Sequence, residues 1–229
     1  MITADDQMWE LSPKEAVKLQ RELAAQVILR PLSMNFRFLG ASDLTYLKVN
    51  GETRHIAVLA VFSWPDLALV EMVDVTGIAR FPYVPGLLSF REAPPLLEAW
   101  QMLRRPPDVL LCDGQGLAHP RKLGLACHLG LCLGIPTVGC AKTRLCGDHG
   151  EPAPAKGSFA PLSLNGEIVG AVFRSRDRVK PLYVSPGHLC DVGGAVELVS
   201  RCVGKYRIPD PQRLVHNRAT ELRRACSKD

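Results

Sequence analysis

Between Phe36 and Thr76, three apolar runs rich in strand-forming residues, Phe36–Tyr46, His55–Ser63 and Ala68–Thr76, are joined by very short connections. The first connection carries Asn50-Gly51, which readily adopts the positive φ angles of a tight hairpin. The second carries Trp64-Pro65-Asp66, where proline punctuates a strand. Parallel pairing needs a crossover of about a dozen residues or more, so these runs can pair only as an antiparallel meander. The pattern then changes. Helical spacing over Arg91–Leu103 precedes the uncharged run Val109–Cys112, and an apolar helix over Lys122–Leu133 precedes the strand-like Pro136–Cys140. A meander followed by helix-strand units predicts an α/β fold, a mixed sheet flanked by helices.

The remainder fits that plan. Ser12-Pro13 before Lys14–Leu29 reads as an N-capped helix with apolar positions Ala16, Leu19, Leu23 and Val27. Strands are expected at Ile168–Arg174 and Pro181–Ser185, helices at Gly194–Val203 and Pro211–Cys226, and a flexible loop near Asp148–Ser158. With 229 residues and 47% hydrophobic content, the chain is expected to form a single domain over residues 1–229. Three antiparallel strands followed by helix-strand units match the ribonuclease H-like arrangement, in which the first and fourth strands are neighbours.

Several classes of protein are disfavoured. There is no run of eighteen apolar residues, and the opening Met-Ile-Thr-Ala-Asp-Asp-Gln lacks the character of a signal peptide, so a cytoplasmic protein without a membrane partner is expected. The eight cysteines include no Cys-x-x-Cys pair and read as reduced, mostly buried thiols rather than zinc ligands. The formal net charge of +5 is unevenly spread. Arg174, Arg176, Arg178 and Lys180 surround Asp177, and from Arg201 onward eight basic residues face three acidic ones, Asp210, Glu221 and Asp229. Such runs are commonly solvated surface; here they also fit a polyanion partner.

The acids sit where chemistry could use them. Asp43 interrupts the first apolar strand, where aspartate is disfavoured, Glu92 opens the helix after the meander, and Asp113 ends the Val109–Cys112 strand. If the first and fourth strands adjoin, Asp43 and Asp113 can share one cation. Crowded carboxylates are costly unless neutralised, and an all-oxygen site suits Mg²⁺ or Mn²⁺. The natural substrate of such a site is a phosphodiester. His119, His216 and Lys142 could position phosphate or water, although a lone histidine is usually structural and a lone lysine usually solvent-facing. Asp113-Gly114-Gln115-Gly116 alone is a turn signal. Tyr83, held between Pro82 and Pro85, is either a packing residue or a rigid aromatic able to enter a nucleic-acid stack.

Taken together, these motifs resemble the endonuclease V (deoxyinosine 3′-endonuclease) family over nearly the whole chain. Gly40-Ala41-Ser42-Asp43 resembles its first-strand motif, and Pro82-Tyr83-Val84-Pro85-Gly86-Leu87-Leu88-Ser89-Phe90-Arg91-Glu92 its wedge and helix-entry motif. Asp113-Gly114-Gln115-Gly116 through His119-Pro120-Arg121 resembles a third, and Gly139-Cys140-Ala141-Lys142 and Gly187-His188 match further segments. The resemblance implies that Asp43 and Asp113 ligate Mg²⁺ with Glu92 in support, and that His216 completes the site. It makes Tyr83 the wedge, flanked by Pro82, Val84 and Pro85. Lys142 and His119 would contact the reacting phosphate or its water shell, and backbone near Gly86, Leu88, Gly114, Gly116 and Gly124 would line a base pocket. The details look bacterial, which favours DNA repair: cleavage of the second phosphodiester 3′ to deoxyinosine, leaving 3′-hydroxyl and 5′-phosphate, by a monomer. The alternatives are an inosine-specific endoribonuclease acting on inosine-containing RNA, and a non-catalytic nucleic-acid-binding module.

Overall fold

A computed structural model describes residues 6–226. The polar opening at 1–5 and the last three residues, with Lys228 and Asp229, lie outside the described residues. A short 3-10 turn, Asp6–Trp9, leads into α1, Pro13–Ala24, whose start carries the expected cap: Ser12 accepts from the Glu15 amide while the Glu15 carboxylate accepts from the Ser12 amide. The meander is β1, Phe38–Val49, β2, Glu52–Ser63, and β3, Leu69–Ile78. Then come α2, Leu88–Gln101, β4, Val109–Cys112, α3, Leu125–Leu133, and β5, Thr137–Ala141. The second half contributes β6, Asp148–His149, β7, Phe159–Leu164, β8, Glu167–Phe173, β9, Leu182–Pro186, α4, Val192–Cys202, and α5, Asp210–Cys226.

Among the described residues, nine strands join one mixed sheet in the order β3-β2-β1-β4-β5-β9-β8-β7-β6. β1 pairs antiparallel with β2 and parallel with β4, and β4 pairs parallel with β5, as the ribonuclease H-like reading requires. Helices cover both faces. Leu39, Val109 and Leu111 pack towards Ala195, Leu198 and Val199 of α4, while Leu110 and Cys112 pack towards Leu96, Ala126 and Leu129 of α2 and α3. That two-sided burial explains why β4 reads as an unbroken apolar run. α5 lays Val215 and Ala219 against Ala41, Ile56 and Val58 of the meander.

Three expectations need correction. α1 ends at Ala24 rather than Leu29: beyond it, the Ile28 amide donates to His188 Nδ1 and its carbonyl accepts from Leu189, and Pro31 disfavours helix at Arg30. From there Leu32, Met34 and Phe36 run over the α4 core. β7 was not anticipated because Pro161 and exposed positions mask its period. The segment expected to be a flexible loop is instead pinned: β6 pairs with β7, and the Arg174 guanidinium donates to Glu151 and to the Pro152, Ala153 and Val179 carbonyls. Arg174, read as surface charge, is 7% exposed and serves as this anchor.

Candidate active site

The parallel β1–β4 ladder aligns Ser42 with Cys112, and the Asp113 amide extends it by donating to the Ser42 carbonyl at 3.1 Å. Asp43 and Asp113 therefore emerge side by side at the carboxyl end of β4. Alternation along β1 turns Asp43 to the face covered by α5, since Ala41 and Leu47 on the same parity pack there. α5 is fixed at two points: Gln212 Nε2 donates to the Cys140 carbonyl at 3.0 Å, and Arg218 Nη2 lies 3.1 Å from Asp74 Oδ1 on β3. Held this way, the helix brings His216 Nδ1 to 2.8 Å from Asp43 Oδ2. The ligand atoms of Asp43, Asp113 and His216 all lie within 4.8 Å of one another.

Lys142, the first residue past β5, places Nζ 2.5 Å from Asp113 Oδ2, and its carbonyl is held by Arg207 Nη2 at 2.9 Å. Burial and the neighbouring Asp43 push the Asp113 carboxyl above the usual range, against the pull of Lys142. Glu92 is buried in α2 and is pushed up to about 8, first by burial and then by Asp43 and Asp113. Three carboxylates thus share a field that the protein's own cations do not neutralise. Two carboxylates within ligating range, with Glu92 raised by both of them, offer the oxygen donors that a hard divalent cation prefers, and the imidazole adds a nitrogen beside them. Glu92 stands in the electrostatic field of the pair but outside the three-residue group with ligand atoms mutually within 4.8 Å.

The segment before α2 is anchored at both ends. Phe81 is buried and stacks on Phe90 with centroids 5.8 Å apart, Leu87 is buried, and the Leu87 amide donates to the Val84 carbonyl to close a turn. Gly86 takes φ +79° in that turn, a conformation costly for other residues. Pro82 and Pro85 are exposed, Val84 is half-buried, Leu88 is 41% exposed, and Tyr83 stands 72% exposed. Tyr83 is therefore not a packing residue in this structure.

The other residues singled out from the sequence divide. Gly114 is half-buried in the loop after β4, while Gly124 is buried, its amide donating to the Gly116 carbonyl. Gly116 is packed against β9 so closely that a Cβ would stand 2.1 Å from the Pro186 carbonyl oxygen. His119 is buried at 4% exposure, accepts from the Arg121 amide at Nδ1 and hydrogen-bonds to the Gly86 backbone. Burial lowers it to about 4, so it is a neutral imidazole tied to the tyrosine-bearing loop. The structure does not gather it with Asp43, Asp113 and His216. Sequence reading passed over Gln20, a fully buried amide that joins this loop to the one before α3. Its signal was present: a polar residue between Ala16 and Leu23 on the apolar face of α1.

The family model described as Endonuclease V matches residues 21–217. This chain belongs to the endonuclease V family. An endonuclease V of Myxococcus xanthus is 45% identical over 218 residues, covering 95% of this chain and 92% of that one. The crystal structure of endonuclease V from Bacillus subtilis superimposes with a TM-score of 0.92 at 30% identity, over 96% of each chain. Endonuclease V of Ciona intestinalis, crystallised with a 24mer DNA containing an inosine followed by a ribo-adenosine, matches with a TM-score of 0.79 at 27% identity, over 96% of this chain and 100% of that one. Within this endonuclease V fold, the acids found from sequence occupy the junction of the antiparallel and parallel parts of the sheet.

Proposed function

We propose that this chain is a Mg²⁺-dependent, single-domain, monomeric and cytoplasmic repair endonuclease that recognises deoxyinosine in DNA and hydrolyses the second phosphodiester on its 3′ side. The products carry 3′-hydroxyl and 5′-phosphate ends. The observation that carries this reading is the pairing of Asp43 with Asp113, together with a loop that presents an exposed Tyr83 and leads into the helix bearing Glu92. The Ciona relative, bound to inosine-containing DNA, supports the choice of lesion.

Asp43 and Asp113 would hold Mg²⁺ or Mn²⁺, with Glu92 supporting the metal site and His216 completing the site beside it; the ion would supply charge neutralisation at the attacked phosphate and a more acidic water. The protein contributes the rest. Lys142 Nζ, close to Asp113, sits where it can turn to a phosphate oxygen as negative charge builds. With Nδ1 on Asp43, His216 keeps Nε2 for water or phosphate, and its 49% exposed side chain leaves that approach open. Burial and the two aspartates push the Glu92 carboxyl up to about 8, and a divalent cation held there would favour its ionised form.

Tyr83 fills the gap left by the extruded base, while backbone near Gly86, Leu88, Gly114 and Gly124 accepts hypoxanthine. A tight backbone pocket excludes guanine, whose 2-amino group lacks space or a partner. The lesion's own phosphates then bend around the pocket, and the strand beyond it reaches the acids, which accounts for the offset cut.

The test is cleavage of matched substrates, one with a single deoxyinosine, one with a single inosine in RNA and one undamaged, with both product ends mapped in varied flanking sequence. Cuts at a fixed 3′ offset in deoxyinosine DNA are expected. Preference for RNA would make the chain an endoribonuclease, and scattered cuts or equal nicking at guanine would defeat the pocket-and-offset mechanism. Binding without cleavage by metal-loaded protein would leave a non-catalytic module.

A further inference from the structure

Gln20 has no exposed surface, although it lies on the helix face that α1 otherwise packs with Ala16 and Leu23. Burying an amide is costly unless its hydrogen bonds are made. Here they are made to other parts of the chain, not to α1. Nε2 donates to the Gly86 carbonyl at 3.0 Å and to the Leu123 carbonyl at 2.9 Å, while Oε1 accepts from Arg121 Nε. Arg121 Nη2 also donates to the Gly86 carbonyl, at 2.7 Å, and the His119 ring bonds to the same residue's backbone. One peptide group of the tyrosine-bearing loop is thus gripped by a side chain from α1 and two from the segment before α3.

The geometry points to Gln20 as a positioning residue for base selection: its amide sets the separation between the Gly86 turn and the Leu123-Gly124 backbone, and through that spacing decides which base the enzyme accepts. This rests on the proposed role of those two segments as pocket walls. The chemistry is specific to an amide. Two donors must meet two carbonyls from different loops while one acceptor meets a guanidinium, which glutamate cannot do because it lacks donors, and leucine cannot do at all. Gly86 sits directly against this arginine, a Cβ there standing 2.6 Å from Arg121 Nη2, and its φ of +79° disfavours any other residue. Asp43, Asp113 and His216 take no part in this network, so spacing and metal-site chemistry are separable.

The experiment uses the full chain as wild type, Gln20→Glu and Gln20→Leu, with Arg121→Lys as a second variant that leaves α1 untouched. Hydrogen exchange at the amides of residues 84, 86–88 and 124–126 reports how firmly the two segments are held, and kcat/KM on deoxyinosine and undamaged duplexes reports selection. Faster exchange confined to those segments is expected, with at least a tenfold fall in preference for deoxyinosine, carried mainly by KM. Mn²⁺ binding should stay unchanged. Unaltered exchange, or a parallel fall on both duplexes with preference intact, would overturn the role of Gln20. A wild type without preference for deoxyinosine would instead defeat the underlying function, and the exchange result would still decide whether Gln20 holds the two loops.

Discussion

Lys142 Nζ lies 2.5 Å from Asp113 Oδ2, so the counter-charge closest to Asp113 comes from just past β5, the strand next to the one that Asp113 follows. A lysine in that position can serve both carboxylate and phosphate. Lys142→Ala should slow single-turnover cleavage by on the order of a hundredfold, while Kd for substrate DNA changes little. An unchanged single-turnover rate with weakened binding would place Lys142 on the positioning surface only.

Asp43→Asn and Asp113→Asn should each abolish nicking, because an amide cannot balance the charge of a divalent cation. Without metal, Asp113→Asn should melt no lower than wild type, since the charged carboxyl is already disfavoured by burial and Asp43. Added Mn²⁺ should raise the melting temperature of wild type and not of the variants. Near-native nicking by a folded variant would remove that residue from the metal site.

Tyr83→Ala should leave stability within about 0.5 kcal/mol, as expected for an exposed residue. It should nonetheless lower discrimination between deoxyinosine and ordinary DNA, with Tyr83→Phe and Tyr83→Trp retaining more. Equal discrimination by the alanine variant, measured by competition binding, would leave the ring without a role in recognition.

The two ends of one basic run should fail differently. Arg174→Ala orphans several carbonyl oxygens and should cost about 2–3 kcal/mol in denaturant unfolding. Lys180→Ala, at an exposed position, should leave stability alone, weaken binding to every sequence and reduce the slope of log K against log salt by about one phosphate contact.

His128 is fully buried, touches Ser89 Oγ through Nδ1 at 3.1 Å and packs beside Trp9 and Phe90; burial lowers it to about 4 from an ordinary 6.5. Since the folded value is depressed, this neutral ring contributes stability above pH 6.5, and that contribution is lost as pH falls towards 4. His119 is lowered to the same degree. Urea unfolding at pH 7 and pH 5 should show wild type losing stability on acidification, and His128→Phe should lose less. An identical pH dependence in the variant would mean that His128 is already charged in the fold.

The acids were legible because a meander joined to helix-strand units admits few sheet orders, and the order observed puts Asp43 beside Asp113. Glycine and proline around Tyr83 likewise announced a shaped loop. Burial of polar groups was much less legible. Nothing local distinguishes Arg174, enclosed by carbonyls from a distant loop, from Arg178 on the surface, and nothing near His119 announces that its ring is tied to Gly86. His216 could be read from the sequence as a group for phosphate or water, but its place at the metal site came only from resemblance, because its partner Asp43 lies 173 residues away in sequence. Gln20 left a trace in the periodicity of α1, but its partners lie 66 and 103 residues further on.

The parallel seam between β1 and β4 also dictates when the protein becomes capable of damage. Asp43, Asp113 and His216 belong to three distant blocks of the chain and meet only after β1 has found β4 and α5 has closed over the meander. A nascent chain released before residue 216 lacks the imidazole, and a chain whose seam has opened separates its two acids. Partly made or partly unfolded copies should therefore be inert towards DNA, which places the safeguard of this nuclease in its topology.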